Sequence, residues 1–429
     1  MTRLKLFFLL CFLTAVPVLL TGCVGSLDDN EELDEEDPSY VEVRKKENER
    51  VSSLLQRYAK GGGEGTDDSP SYDRLNIAFM TDSHIDMGPV PKESRRNLRD
   101  AIDFCNASSV PIELILHGGD AVTQIASNKK EHFTHLNKFF EIGWQSKIPF
   151  LYTKGNHDIN TVDVHPSLSM TDSDWNSIWY DRAEQKYGIV RNNMENGQKS
   201  GYYYYDLEKW KVRIISVDCF DVDISKTNSS GNVLYWGGSS QYVANEQLNW
   251  IANRALNFDD KSEKDWGVIV FTHFYRPSNI EGSSVEPKYE SVYKKFNSML
   301  SAFDNQESFS VNYLFYPNNY YNISLDVDWT RYSNLDKKPY IICVLSGHLH
   351  TDNTNNWDGI WHFVTANQFC GEEYSDPYIE RLPGTRSQNL FDIVNIDLKE
   401  RKLRVIRYGA SANLDGQEGN RFLKDGLNF

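Results

Sequence analysis

Residues 75–84 read LNIAFMTDSH, a mostly apolar run that ends in two side chains able to bind a metal. The run predicts a buried strand over 75–80, with Asp82 and His84 just beyond its carboxyl end. Strands that are buried on both faces are typical of sheets covered by helices. In open α/β sheets the ligand site lies beyond the carboxyl ends of the strands. The stretch therefore predicts an α/β fold and the edge of the sheet at which a site would lie.

Four further apolar runs end in the same manner, and they cover 112–116, 149–153, 267–272 and 340–345. The polar side chains that follow them are Asp120, Asn156, His157, Asp158, His273, His348 and His350. Glycines accompany most of these ends, and they allow the sharp turns that bring backbone close to a bound ion. A single strand-end histidine has an ordinary structural explanation, but five such ends together predict one shared polar crevice.

The candidate ligands offer nitrogen and oxygen but no thiolate, a set that suits Mn, Fe, Zn, Co or Ni. One ion would not need two Asp, four His and one Asn, whereas two ions that share a carboxylate would use all seven. Two ions about 3.5–4 Å apart can clamp a phosphoryl group during in-line displacement. The sequence therefore predicts two divalent metal ions held by Asp82, His84, Asp120, Asn156, His273, His348 and His350.

The ordered motifs D-x-H, G-G-D, G-N-H-D, a lone strand-end His and G-H-x-H resemble those of the calcineurin-like metallophosphoesterase superfamily, over about residues 75–410. The resemblance implies a four-layer αββα sandwich with two central mixed sheets. It also implies a bridging role for Asp120, with three ligands to each metal ion. The first ion would take Asp82, His84 and His350, and the second would take Asn156, His273 and His348.

The activity implied by the resemblance is hydrolysis of a phosphomonoester or phosphodiester by in-line attack of a metal-bridging hydroxide. His157 would act as the general acid toward the leaving oxygen or would stabilise charge on the phosphoryl group. Asp158 would be a hydrogen-bonding partner rather than a ligand. Thr123 departs from two subfamily patterns, because purple acid phosphatases have a Tyr ligand there and protein Ser/Thr phosphatases have an Asp that orients the catalytic His. The departure argues against both subfamilies and leaves open what orients His157.

The N-terminus carries a targeting signal, with Arg3 and Lys5 before an apolar run over 6–20. The following Leu-Thr-Gly-Cys resembles the lipobox of bacterial lipoproteins and implies a signal peptide over 1–22 and lipid on Cys23. The chain is then predicted to be exported and anchored to the bacterial cell envelope at the outer membrane. The acidic run over 28–37 would be either a signal for surface exposure or a solvated tether, and a plain secretory signal is the alternative to the lipobox.

Composition divides the rest of the chain into an acidic tether and linker over 23–72, a catalytic domain over 73–410 and a tail over 411–429. Within the tether, residues 40–60 predict a helix. An insertion over 276–339 is either a cap that selects substrate or an ordinary surface insertion. His132 and His135 are predicted to lie on the solvated face of a helix.

The formal net charge of −16 argues against a nucleic-acid partner, although residues 23–70 alone hold 14 acidic and 6 basic residues. The rival hypotheses are a nuclease or nucleotide phosphodiesterase of the same fold, and a catalytically silent surface-binding lipoprotein. The lack of a basic stretch interleaved with aromatics counts against the nuclease. The complete ligand set counts against the silent protein. Substrate, metal identity and oligomeric state are not determined by the sequence.

Overall fold

The computed structural model describes residues 37–59, 74–86, 91–124, 127–235, 242–274, 287–314, 322–370, 381–410 and 426–429. The helices in these ranges are α1 Pro38–Ala59, α2 Pro91–Ala107, α3 Lys129–Gly143, α4 Asp172–Trp175, α5 Asp181–Tyr187, α6 Asn245–Trp250 and α7 Pro287–Asp304. The strands are β1 Arg74–Met80, β2 Leu114–His117, β3 Phe150–Tyr152, β4 Val190–Asn193, β5 Lys199–Leu207, β6 Val212–Val217, β7 Gly267–Thr272, β8 Ser308–Tyr313, β9 Ile323–Asp328, β10 Tyr340–Ser346, β11 Asn353–Trp357, β12 Ile360–Val364, β13 Leu390–Asp397, β14 Lys402–Gly409 and β15 Leu427–Asn428.

Two large mixed sheets organise the chain. Sheet A has the order β15-β14-β13-β1-β2-β3, in which β1, β2 and β3 run parallel and the hairpin of β13 and β14 is antiparallel to β1. Sheet B has the order β11-β12-β10-β7-β6-β5-β4, with β12, β10, β7 and β6 parallel. Every parallel strand within a sheet directs its carboxyl end to the same edge, which is where the predicted site residues follow.

The two sheets stack face to face, with helices on the outside. Alternate residues of sheet B point in opposite directions, as the two-residue repeat of a strand requires. Ile214, Ile269 and Phe271 face the core shared with sheet A, whereas Val268 and Val270 face a second core beneath α7 and the β8–β9 hairpin. The predicted α/β class with two central mixed sheets is confirmed.

Helix α1 packs onto this sandwich, which differs from the assignment of residues 23–72 to a tether and linker. Its apolar stripe, which includes Val51, Leu54 and Leu55, belongs to the same core as sheet A. The Tyr40 hydroxyl donates a hydrogen bond of 2.9 Å to the Asp100 carboxylate on α2. The folded unit therefore includes residues 38–59, because burial of that stripe outweighs the polar composition around it. The acidic run over 28–36 lies outside the described residues.

Two other predicted segments contribute to the described fold. Strand β15 pairs with β14, so the end of the predicted tail over 411–429 joins sheet A. The described part of the insertion over 276–339 is α7, the β8–β9 hairpin and the segment leading to β10, and it covers the outer face of sheet B. Among the described residues, no helix is long and apolar enough to cross a membrane.

Candidate metal centre

The carboxyl ends of five strands converge between the two sheets. Strands β1, β2 and β3 lead to Asp82, Asp120 and Asn156 from sheet A, and β7 and β10 lead to His273 and His348 from sheet B. His273 Nε2 lies 3.2 Å from Asp120 Oδ2 and 3.1 Å from Asn156 Oδ1. Residues from both sheets therefore share one cluster, and all seven predicted ligands lie in it.

Several of these residues have left-handed backbone conformations, which L side chains rarely adopt. Such conformations cost about 1–3 kcal/mol each and persist where the surrounding structure enforces them, which is typical of functional sites. The residues concerned, with their φ angles, are Asp82 at 53°, His84 at 37°, Asp120 at 52°, His348 at 67° and His350 at 53°.

Two glycines allow the strand ends to approach one another. A Cβ atom on Gly155 would lie 2.0 Å from Asp120 Oδ1, and one on Gly347 would lie 2.0 Å from Thr81 Oγ1. Gly155 thus lets the Asn156 turn approach the end of β2, and Gly347 lets the His348 turn approach the end of β1. At these two positions glycine is required by close contact.

The first donor group consists of Asp82, His84 and His350. Asp82 Oδ1 lies 3.1 Å from His350 Nε2, while Asp82 Oδ2 accepts hydrogen bonds from Thr81 Oγ1 at 2.6 Å and the His348 amide at 2.9 Å. The Oδ1 atom thereby faces the imidazole of His350 within the donor group. His84 Nε2 is buried and makes no hydrogen bond within the described residues, which is costly unless a cation accepts its lone pair.

The second donor group joins the sheets. Asn156 Oδ1 lies 2.7 Å from His348 Nδ1, and His273 Nε2 lies 3.2 Å from the same nitrogen. His273 Nδ1 donates a hydrogen bond of 2.7 Å to the Gly118 carbonyl, which directs Nε2 into the cluster. This arrangement is the usual way in which a metal-binding histidine is oriented.

Asp120 lies between the two groups. Its Oδ2 atom is 3.2 Å from His273 Nε2 and 3.8 Å from His84 Nε2. Its Oδ1 atom accepts a hydrogen bond of 2.9 Å from the His157 amide, which fixes the carboxylate. A single oxygen thus faces one donor from each group, as a shared ligand requires.

The electrostatics of the cluster favour bound positive charge. Burial alone would lower the pKa of His273, but Asp120 and Asp82 outweigh it and raise the pKa to about 9. Burial lowers the pKa of His84 to about 4 and the pKa of His348 to about 3, so these rings stay neutral and keep their lone pairs. Neutral imidazoles and ionised carboxylates are the forms that bind divalent metals, so His84 and His348 fit such ions as they stand. At His273 the two carboxylates favour positive charge, which a bound ion would supply in place of the proton.

His157 differs from the other histidines of the cluster in its exposure. Its side chain is 35% exposed, whereas those of His84 and His273 are 1% and 0% exposed. His157 Nε2 lies 3.9 Å from Asp120 Oδ2, and its ring meets that of His84 edge to face at 5.0 Å between centroids. No described residue hydrogen-bonds to its buried Nδ1 atom. The ring is therefore beside the donor groups and accessible from the cleft.

Asp158 contacts backbone rather than the His157 ring. Its carboxylate accepts hydrogen bonds from the amides of Asp120 and Ala121, each at 2.9 Å, and from that of Gly155 at 2.7 Å. The Tyr152 hydroxyl also donates to it. Burial and the neighbouring Asp120 raise the pKa of Asp158 to about 7. Asp158 holds together the two turns that carry Asp120 and Asn156.

Thr123 contacts a candidate ligand, not His157. Its hydroxyl lies 3.3 Å from His84 Nδ1, and its amide donates a hydrogen bond of 2.7 Å to Asp86 Oδ1. Asp86 Oδ2 lies 2.7 Å from His135 Nδ1. Asp86 thus fixes the backbone of Thr123, whose hydroxyl contacts the His84 ring.

The prediction that His132 and His135 lie on a solvated face is wrong. Both are buried, at 0% and 2% exposure, and His132 Nε2 donates a hydrogen bond of 2.8 Å to the Asp158 carbonyl. The sequence contains a signal for this, because the buried face of α3 repeats at helical spacing through His132, His135, Leu136, Phe139 and Phe140.

The fold and this cluster define a metal-dependent phosphoester hydrolase. The model of the calcineurin-like phosphoesterase family matches residues 75–352, and the chain belongs to that family. No curated protein sequence matches the chain.

Several solved structures are similar to the chain at low identity. A dimetal phosphatase from Danio rerio is 11% identical over 78% of this chain and 96% of its own, with a TM-score of 0.49. GAP50 of Plasmodium, described as the anchor in the inner membrane complex, is 10% identical over 83% of this chain and 90% of its own, with a TM-score of 0.41. A putative 5'-nucleotidase from Staphylococcus aureus is 10% identical over 79% of this chain and 54% of its own, with a TM-score of 0.37. The family assignment rests on the sequence match.

Proposed function

We propose that the chain hydrolyses a phosphomonoester or phosphodiester with two divalent metal ions bound between its sheets. The observation that carries the proposal is the orphaned His84 Nε2 atom, which faces a set of converging carboxylate, amide and imidazole donors. The first ion is assigned to Asp82, His84 and His350 and the second to Asn156, His273 and His348. Asp120 is assigned to both.

The metal ions, when bound, supply Lewis acidity toward the phosphoryl group. Asp120 holds the two donor sets together, and Asp158 holds the turns that carry Asp120 and Asn156. His157 is the general acid in this proposal, because its partly exposed ring can reach a substrate in the cleft and donate a proton to the leaving oxygen.

Replacement of the shared carboxylate tests the assignment directly. Asp120→Asn should remove both metal ions and turnover, measured by metal analysis and by hydrolysis of a panel of monoesters and diesters with Mn, Zn, Fe or Ni added back. Wild-type turnover by Asp120→Asn would refute the two-metal assignment. Inactivity of the wild-type chain across the panel would favour the silent binding protein.

The general-acid role has a separate test. His157→Ala should retain both metal ions and slow substrates with poor leaving groups most, since these depend most on protonation. His165→Ala is the control, because His165 lies in a loop and, among the described residues, its imidazole bonds only to the neighbouring Ser167. Equal losses on aryl and alkyl phosphates in His157→Ala would contradict the role.

We further propose that the protein is exported and anchored to the bacterial cell envelope by lipid on Cys23. The support is the sequence of the N-terminal 23 residues alone, which lie outside the described structure. Mass spectrometry of the mature protein should find a diacylated Cys23, and Cys23→Ala should release the protein from the membrane fraction. An unmodified Cys23 would refute the anchor.

A further inference from the structure

A buried ion pair joins the two sheets next to the Asn156 turn. Lys154 Nζ lies 2.6 Å from Asp218 Oδ2, and the two side chains are 7% and 5% exposed. Lys154 follows β3 of sheet A and Asp218 follows β6 of sheet B. Neither residue belongs to the donor groups of the metal centre.

Strand β3 needs support from outside its own sheet. It has three residues, Phe150–Tyr152, and it is the edge strand of sheet A. Within the described sheet, its backbone therefore forms strand-to-strand hydrogen bonds with β2 only. The second donor group nevertheless requires Asn156, which follows β3, to meet His273 and His348 from two central strands of sheet B. The relative position of the two sheets at this point determines whether that group forms.

Three successive residues of this segment bond across to sheet B. Tyr152 exchanges two hydrogen bonds with the Tyr203 hydroxyl, at 3.1 Å and 2.8 Å. The Thr153 hydroxyl donates to the Val217 carbonyl at 3.0 Å. Lys154 then pairs with Asp218, so the pair is the contact of this series nearest to Asn156 along the chain.

Asp218 is itself held rigidly. Its amide donates to Gln247 Oε1 and its carbonyl accepts from Gln247 Nε2, each at 2.9 Å. Its Oδ1 atom accepts from the Phe220 amide at 3.0 Å. A Cβ atom on Gly201 would lie 2.8 Å from Asp218 Oδ2 and 2.9 Å from Lys154 Nζ, so glycine at this position of β5 makes room for the pair.

We propose that Lys154 and Asp218 are positioning residues that set the second metal site by fixing the Asn156 turn of sheet A against sheet B. The first site depends less on the pair, because Asp82 and His84 follow β1, a central strand of sheet A. The inference rests on the proposed assignment of the two metal sites. Loss of a side chain that orients a ligand typically weakens metal affinity about 10–100-fold.

The test is a Mn²⁺ titration of the chelated full chain, followed by calorimetry and by the electron paramagnetic resonance signal of coupled ions. His84→Ala and Asn156→Ala identify the binding step that belongs to each site. Asn156→Ala should lose the Mn²⁺ step of the second site. Asp218→Asn and Lys154→Met should weaken the affinity of that step about 10–100-fold and leave the affinity of the first-site step unchanged. The double variant Lys154→Met with Asp218→Leu removes both charges of the pair together, so it keeps the test valid if the single variants fail to fold.

Asp206→Asn is the matched control. Asp206 forms an ion pair of 2.6 Å with the buried Arg213, but both residues belong to sheet B, on β5 and β6. This variant should lose thermal stability and keep both binding steps. The inference is overturned if Asp218→Asn leaves the Mn²⁺ affinity of both steps unchanged, as expected for Asp206→Asn, or if it weakens the affinity of both steps equally. If the wild-type chain binds fewer than two Mn²⁺ ions, the proposed function fails and this inference fails with it.

Discussion

Replacement of Gly347 by alanine is expected to disrupt the metal centre through a steric conflict. The added Cβ would lie 2.0 Å from Thr81 Oγ1 and 2.4 Å from Asp82 Oδ2. Real Cβ atoms essentially never approach within 3.0 Å, so these oxygens would have to retreat by at least about 1.0 Å and 0.6 Å. Neither side moves easily, because the Gly347 amide donates a 2.9 Å hydrogen bond to the His273 carbonyl and Thr81 bonds to Asp82 at 2.6 Å.

The displacement falls on candidate ligands from both sheets, since Asp82 moves relative to His348. A misplacement of about 1 Å can reduce catalysis about 100-fold, and insertion of a methyl into a packed site costs about 1–3 kcal/mol of stability. We therefore expect Gly347→Ala to fold, to bind Mn²⁺ more weakly and to lose about two orders of magnitude in kcat/KM on an aryl phosphate.

Gly267→Ala is the control. Gly267 begins β7 and lies opposite Tyr340 at the start of β10, at the end of that strand away from Gly347. Its Cβ would lie 2.6 Å from Ile342 Cδ1, the end of a flexible side chain. It should lose stability but keep metal content and kcat/KM. If Gly347→Ala binds two Mn²⁺ ions with wild-type affinity and turns over at the wild-type rate, the close approach of the β1 and β10 ends does not position the ligands.

Three further predictions concern residues outside the donor groups of the metal centre. Thr123→Val removes a hydroxyl 3.3 Å from His84 Nδ1 and should weaken the Mn²⁺ step assigned to His84 about 2–10-fold, measured by calorimetry; an unchanged step would contradict the supporting role. His362→Phe should protect the metal-free chain against acid, because burial lowers the pKa of His362 to about 3 and the unfolded chain binds that proton more tightly. The neutral ring stabilises the folded chain above pH 6.5, and this contribution is lost as the pH falls toward 3. Between pH 7.5 and pH 5 the free energy of unfolding of the variant, measured with urea, should therefore fall by about 2 kcal/mol less than that of the wild type. Equal decreases would refute the reasoning. Glu47→Gln should lower the free energy of unfolding by about 2 kcal/mol without changing turnover, because its carboxylate accepts from the Gly409 amide at 2.8 Å and pairs with Arg50 and Arg386; a stability equal to wild type would show that α1 is not anchored there.

The strand-end residues could be predicted because each motif is local. An apolar run, a turn and a polar residue lie within about ten positions, and parallel strands bring their ends to one edge. The signal for the burial of His132 and His135 is equally local, but the polarity of histidine predicts an exposed position. The repeat that they share with Leu136 and Phe139 identifies the buried face. The polarity of these side chains predicts the wrong position, whereas their helical spacing predicts the buried one.

Helix α1 shows a different limit. Acidic and glycine-rich segments flank it in the sequence, so composition predicts a tether and linker over the whole of 23–72. The stripe formed by Val51, Leu54 and Leu55 nevertheless packs in the same core as sheet A. Composition averages over a segment, whereas docking depends on the few side chains that share one face.

The relation between the sheets could not be predicted, because the residues that set it are far apart in the chain. Lys154 and Asp218 join the sheets on the β3 side. Arg407 of sheet A joins Asp352, which lies two residues after His350, at 2.9 Å. Each pair thus ties a ligand-bearing turn of one sheet to the other sheet. The local motifs determine which donors are available, and the long-range pairs determine whether donors from separate sheets lie close enough to share an ion.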